Sequence, residues 1–327
     1  MFDKYSNIST FMNPDLIPLA RCPKCRAPLA VGPDPDALPC LACGASYPVL
    51  NGVPRLAANP YVESFGRQWN RYDVARPEED DAVFRAKTGL DPDDLKGELV
   101  LDAGCGGGRY ARLLGGRGAR VVGVDLSGAV DKASTLCKDL PNVQILQADL
   151  LELPLAEGAF DAAFSIGVLH HSPDPRRAFA QVARRVRPGG RLAVWLYRKN
   201  TPAQEWLNSG LRAVTSRLPA RALEPLCAGL GALGSVPALR RVLNKVANFS
   251  NHPDWTLRVC DNFDWYAPKY QSHHTVEELK TWFREEGYED LVELAPMRSG
   301  RVYDWAYEHN VVIGSGVNVA GTREGVS

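Results

Sequence analysis

The sequence predicts an α/β fold built on a doubly wound, mostly parallel sheet, and three observations lead there. From Glu98 onward, short apolar runs alternate with helical patterns, the mark of a sheet covered by helices on both faces. A glycine-rich turn at Gly104, Gly106, Gly107 and Gly108 closes the first run where a helix should begin. An acid, Asp125, ends the second run about 20 residues further on.

The chain opens on MFDKYSNISTFMNPDLIPLA, which lacks the basic start and long apolar stretch of a secretory signal, so a cytoplasmic location is expected. With 327 residues and 45% hydrophobic content, it can bury a sizeable core without disulfides. Thirty-eight basic residues balance 38 acidic ones, so overall charge neither predicts nor excludes a nucleic-acid partner. The best candidate for a membrane span, Leu223 to Leu239, contains Glu224, Pro225 and Pro237, and no span is expected.

Cys22 and Cys25 form one CxxC, Cys40 and Cys43 a second, with 14 residues between the pairs. That spacing turns four thiolates toward one tetrahedral ion, and Gly44 suits the tight turn after the second pair. Structural Zn2+ is the expected ligand, and four sulfur ligands leave no open position for chemistry. The alternative, a redox pair, needs a helix starting inside one CxxC, which the Pro-rich surroundings oppose. Read to Pro54, and above all in YPVLNGVP at Tyr47–Pro54, the module resembles the small zinc-ribbon activator subunit of certain tRNA, rRNA and protein methyltransferases. Cys105, Cys137, Cys227 and Cys260 show no paired spacing and read as packing residues.

The strand candidates are ELVLDA, ARVVGVDL, VQILQADL, FDAAFSIGVL and RLAVWLY, with a helix-end turn at Arg187 to Gly190 before the last. Two cofactors fit the glycine turn, a dinucleotide and S-adenosyl-L-methionine, and carboxylates separate them. Asp102 immediately precedes the glycines, where an anionic pyrophosphate would repel it and a cofactor carrying an ammonium and a sulfonium would not. Asp125 can accept bonds from ribose hydroxyls, and Asp149, which closes the third run, can bond the adenine amino group with Leu150 against the ring.

On Asp102 to Gly108, Asp125 and Asp149, with FDAAFSIGVLHH and RPGGRLAVWLY following, the stretch from about Leu99 to Arg198 resembles the class I S-adenosylmethionine-dependent methyltransferases. The resemblance implies a Rossmann-like, seven-stranded sheet and a cofactor site of Asp102, Gly104, Gly106, Asp125, Leu126, Asp149, Leu150 and Ile166. HHSPDP, from His170, resembles the same segment of quinone and sterol C-methyltransferases. Upstream, SFGRQWNRYD (Ser64 to Asp73), with Trp69 and Tyr72, reads either as a cover for the methionine end of the cofactor or as a linker helix.

Substrate should lie at the carboxyl ends of the strands, near His170, His171 and Tyr197. A protonated nucleophile needs a base there, a role histidine fills near neutrality. A second histidine pair lies in FDWYAPKYQSHHT, whose Asp264, Tyr266, Tyr270, His273 and His274 would form a polar aromatic wall before the helix TVEELKTWFREEGY. Expected catalytic residues are His171, His274 and Tyr266. A metal held by both doublets is disfavoured, because adjacent histidines usually diverge. Thr201 to Ser250, with Trp206, Leu207, Leu211 and Val214 at helical spacing, reads as a lid or as a dimerisation or packing element.

Residues 171–250 hold 14 basic and 3 acidic side chains, whereas 261–295 hold 9 acidic and 3 basic. The basic half would greet an anionic substrate or lie along RNA, unless Arg176, Arg177, Arg184 and Arg185 are simply the solvated face of one helix. The organisation expected is an N-terminal tail and zinc ribbon (1–57), a helical linker (58–97), a cofactor-binding core (98–200), a helical insertion or lid (201–262) and a C-terminal part completing the sheet and the substrate wall (263–327). The function expected is methyl transfer to O, N, S or C of a small molecule. The rivals are methylation of RNA or protein, with the ribbon as recognition element, and a non-catalytic binder of the same cofactor.

Overall fold

Two tight turns at the cysteine pairs organise the N-terminal module. After each pair one residue takes a left-handed conformation, Arg26 (φ 63°) and Gly44 (φ 71°), and its N–H returns to the carbonyl of the first cysteine, Cys22 or Cys40. Strands β1 (Ala37–Pro39), β2 (Ser46–Leu50) and β3 (Val53–Pro54) then form a small antiparallel sheet. The structure, a computed structural model, describes residues 12–57, 77–199, 201–236, 250, 254–294 and 316–325. The segment Ser64 to Asp73, with Trp69 and Tyr72, lies outside the described residues.

Helix α1 (Pro77–Thr88) leads into the main sheet. The apolar runs become parallel strands because they have two faces to bury at once. These are β4 (Leu99–Ala103), β5 (Arg120–Asp125), β6 (Val143–Gln147), β7 (Phe160–Ile166) and β8 (Val186–Tyr197), interleaved with α2 (Arg109–Gly116), α3 (Val130–Cys137) and α4 (Pro175–Ala183). Three helices follow, α5 (Pro202–Thr215), α6 (Ala220–Gly234) and α7 (Trp255–Tyr266), then α8 (Val276–Glu285), β9 (Tyr288–Glu293) and β10 (Gly316–Arg323). The seven-stranded order is β6-β5-β4-β7-β8-β10-β9, with β10 alone reversed. The doubly wound, mostly parallel sheet expected from the sequence is thus present.

Alternation along each strand builds two cores. Val100, Val121, Ala162, Phe164 and Ala193 face α1, α2 and α3, while Leu101, Val122, Ala163, Leu192 and Val194 face α4, α8 and the cysteine module. Burying a side chain such as Phe164 contributes about 2–3 kcal/mol. Met12, Leu16, Ile17, Leu29, Leu38 and Leu56 belong to the second core, so the cysteine module and the sheet share one apolar interior.

The turn expected at Arg187 to Gly190 is drawn into β8 as an irregularity, where the register shifts between Phe160 and Ala162. Arg187 donates to Asp161 Oδ1 at 2.7 Å, and a Cβ on Gly190 would come within 2.8 Å of the Asp161 carbonyl, so only glycine lets the strands close. Helix α8 starts on a capping box between Thr275 and Glu278, which explains its sharp onset. Arg176, Arg177, Arg184 and Arg185 pair with Glu285 and Glu286, Glu152, Glu286 and Glu157 respectively. Among the described residues, no helix is long and apolar enough to cross a membrane.

Candidate active site

The strand order reverses between β4 and β7, which opens a crevice at the carboxyl ends of β4, β5 and β7. Asp102 lies in it, near the end of β4. It is 2% exposed, its Oδ2 has no hydrogen-bond partner, and burial together with neighbouring Asp125 pushes its carboxyl up to about 8. A buried carboxyl with one oxygen unpartnered is costly, and a cation brought to it removes that cost.

The glycine turn keeps the crevice open. Gly104 has φ 92°, and a Cβ there would overlap both methyls of Val168; at Gly108, with φ 85°, it would lie 2.9 Å from Ala133 Cα. Asp125 bends onto this turn. Its Oδ2 accepts the Gly106 N–H at 2.9 Å, and its Oδ1 accepts the N–H and hydroxyl of Ser127 at 2.8 and 2.7 Å. Burial raises its pKa despite these bonds. On the neighbouring strand end, Asp149 caps the turn Leu150–Glu152 by accepting the Leu151 N–H at 2.8 Å, over a buried Leu150. Leu126 and Ile166 are half-buried at the ends of β5 and β7, and Gln147 donates to the Leu126 carbonyl at 2.9 Å.

Beyond β7 the chain turns at Leu169–His171 and meets the end of β8. His170 is fully buried and stacks on Tyr197 at 3.9 Å; burial and the adjacent His171 hold its pKa well below the usual value, so it is neutral. His171 places Nδ1 3.2 Å from the Tyr270 carbonyl and Nε2 3.4 Å from Asp264 Oδ2. Tyr197 donates to the same Asp264 oxygen at 2.5 Å, and burial with that carboxylate holds the phenol well above 10. Asp264 of α7 is therefore where groups from the end of β7 and from β8 converge.

The other expected catalytic residues sit elsewhere. His274 joins the end of β8 through its backbone, and its ring lies between Ser272 Oγ (2.8 Å) and Glu278 Oε1 (3.1 Å), with burial lowering its pKa. Tyr266 is buried with Leu223, Cys227, Val259 and Phe263 in the core of the helical insertion. His273 turns to Glu205 at 2.6 Å, so the two histidine doublets do not surround one ion.

Sequence reasoning passed over Lys87. It lies on α1 in the charged string PEEDDAVFRAKT, three residues from fully buried Phe84. That spacing, which puts two residues on one helix face, was the available signal. Its ammonium lies 4.1 Å from the centre of the Trp195 ring, where burial and Arg109 lower its pKa to about 8.

In the N-terminal module, Cys22 and Cys43 sulfurs lie 3.7 Å apart, Cys25 and Cys40 sulfurs 3.5 Å apart, and all four fall within 4.8 Å of one another. Four sulfurs about 2.3 Å from a tetrahedral zinc ion are separated by about 3.8 Å, so the cluster is compatible with Zn2+. The Tyr47 hydroxyl lies 3.0 Å from the Cys22 sulfur.

Residues 101–194 match the family model described as a methyltransferase domain. This stretch is therefore similar to methyltransferase domains. It contains the glycine turn and Asp102, Asp125 and Asp149, while Lys87, Asp264 and the four cysteines lie outside it. The chain is 39% identical over 107 residues to an uncharacterized 37.1 kDa protein in transposon TN4556 of Streptomyces fradiae, covering 31% of each. It is 33% identical over 128 residues to the ubiquinone biosynthesis O-methyltransferase of Alkalilimnicola ehrlichii, covering 38% of this chain and 52% of that one. The chain thus spans a third to a half of the length of these relatives. A solved S-adenosylmethionine-dependent methyltransferase from Mesorhizobium loti aligns at 21% identity and TM-score 0.45, over 74% of this chain and 96% of that one.

Proposed function

We propose that this chain is an S-adenosyl-L-methionine-dependent methyltransferase acting on a nucleophilic atom of a small molecule. The observation that carries the reading is Asp102, a buried carboxyl with an unpartnered oxygen beside a glycine turn that admits a ligand backbone-close. The cofactor's ammonium suits Asp102, its ribose hydroxyls suit Asp125, and its adenine suits Asp149 and Leu150, with Leu126 and Ile166 flanking. When bound, it supplies an electrophilic methyl group on a sulfonium.

The chain's own residues then have two tasks. Tyr197, His170 and Trp195 form an aromatic wall, with Trp195 set edge-on to Tyr197 at 5.6 Å, that keeps water from the acceptor. Asp264 and His171 take the acceptor's proton: the Tyr270 carbonyl orients the imidazole, and Tyr197 fixes the carboxylate. The pairing of Arg176, Arg177, Arg184 and Arg185 with glutamates supports a small-molecule acceptor over RNA, because a neutralised row attracts phosphates weakly.

S-adenosylhomocysteine should raise the melting temperature of the wild type and bind Asp125→Ala at least about tenfold more weakly. No shift with the wild type overturns the cofactor reading. Labelled methyl donor incubated with a bacterial extract should mark the low-molecular-mass fraction, and label confined to RNA overturns the small-molecule reading.

A further inference from the structure

The ammonium of half-buried Lys87 is a cation with an aromatic face on one side. No hydrogen-bond or ion-pair partner meets it among the described residues, where it lies 4.1 Å from the centre of the Trp195 ring. The placement is rigid. Phe84, one turn back on α1, is locked edge-on against Phe164 at 5.1 Å, and Trp195 is wedged between Gly167 and Gly316, where a Cβ on Gly316 would overlap the indole. The charged and titratable groups that face it are Arg109 from α2, His170 from the turn after β7, and Asp261 and Asp264 from α7. Arg109 is itself committed to buried Asp80 on α1.

Trp195 and Tyr197 sit edge to face at 5.6 Å, and the Tyr197 hydroxyl leads on to Asp264. The same wall therefore carries both a cation and a proton acceptor. Among the described residues Asp261 and Asp264 act on this ammonium, yet neither closes an ion pair with it, so its burial is only partly compensated. An acceptor hydroxyl lying along the wall meets both needs: its proton leaves toward Asp264 and His171, and the oxygen left behind faces the ammonium.

We propose that Lys87 is the anchoring residue for the acceptor, selecting an acidic hydroxyl of the phenol or enol class and holding its oxygen as an oxyanion. This rests on the methyltransferase reading above. A neutral amine or a thioether gains nothing from the arrangement, so the pocket discriminates by acidity as well as by shape.

The test uses the whole protein saturated with S-adenosylhomocysteine and 4-nitrophenol as probe, whose ionisation is read by absorbance, with 4-nitroanisole as the non-ionising control. On the wild type the acid dissociation constant of bound 4-nitrophenol should rise by about tenfold or more, as an opposite charge within a few ångströms produces. Lys87→Arg should keep most of this rise. Lys87→Met should abolish it while 4-nitroanisole and S-adenosylhomocysteine bind as before. An unshifted or unbound 4-nitrophenol on the wild type overturns the proposal whatever the variants do, as does a full shift on Lys87→Met. Failure of S-adenosylhomocysteine to bind the wild type instead defeats the methyltransferase reading on which the proposal stands.

Discussion

Asp102→Asn should make the empty protein more stable and the loaded one less so. In an unfolded chain this carboxyl titrates near 3.8, and in the fold it titrates near 8. The folded state therefore holds a proton that the unfolded state has lost, so stability is full below about pH 4 and falls as pH rises through 8. At pH 7 the loss amounts to about 4 kcal/mol at most, a ceiling that solvent relaxation lowers. Asparagine has the same shape without the charge and should recover much of it, so urea denaturation at pH 7.5 should favour the variant and at pH 4.5 show little difference. Binding reverses the order. To meet an ammonium Asp102 must give up its proton, so S-adenosylhomocysteine affinity of the wild type should climb with pH between 6 and 8, by up to about tenfold per pH unit. The variant should bind about 10–100-fold more weakly at pH 8, with a flat profile, having lost a charge-assisted bond. Calorimetric titration across that range is the assay. A variant no more stable than the wild type, with an unchanged pH slope in binding, refutes the assignment of this carboxyl to a cationic ligand.

Two further outcomes test the scaffold. Gly104→Ala combines a φ of 92° with overlap on Val168, so it should cost at least about 2 kcal/mol in urea denaturation and remove measurable S-adenosylhomocysteine binding. Because the cysteine module shares its core with the sheet, stripping the ion expected at Cys22, Cys25, Cys40 and Cys43 with a strong chelator should lower the melting temperature of the whole chain in one transition. Two separate transitions, or a metal analysis finding no bound ion in the purified protein, would count against that.

The central strands were legible in the sequence because the middles of β4 to β7 and the second half of β8 are buried on both faces and are largely apolar. The edge was not. In β9, Tyr288–Glu293, only Tyr288 is buried, and the rest reads as a polar turn. β10 pairs with a strand more than a hundred residues away in sequence, and nothing local marks that partnership. The three crevice acids were readable because a strand end fixes where its last side chains point. Asp264 was visible as a wall residue but not as the meeting point of His171 and Tyr197, since its position depends on how α7 folds back. Lys87 was hidden for a related reason: a lysine among aspartates and glutamates looks solvated until the rest of the fold puts an indole beneath it.

The bond between the cysteine module and the sheet constrains how such a chain can be recombined. Arg55 pairs as a bridge with Gln147, its guanidinium meets Asp131 at 2.5 Å, and Gln147 in turn holds the Leu126 carbonyl beside Asp125. A crossover placed after residue 57 would split this chain of contacts, leaving one fragment with a bare apolar face and the other with a loosened strand end beside Asp125. Shuffled descendants that keep working should therefore inherit the cysteine module and the sheet together, or replace the first with something that covers the same edge.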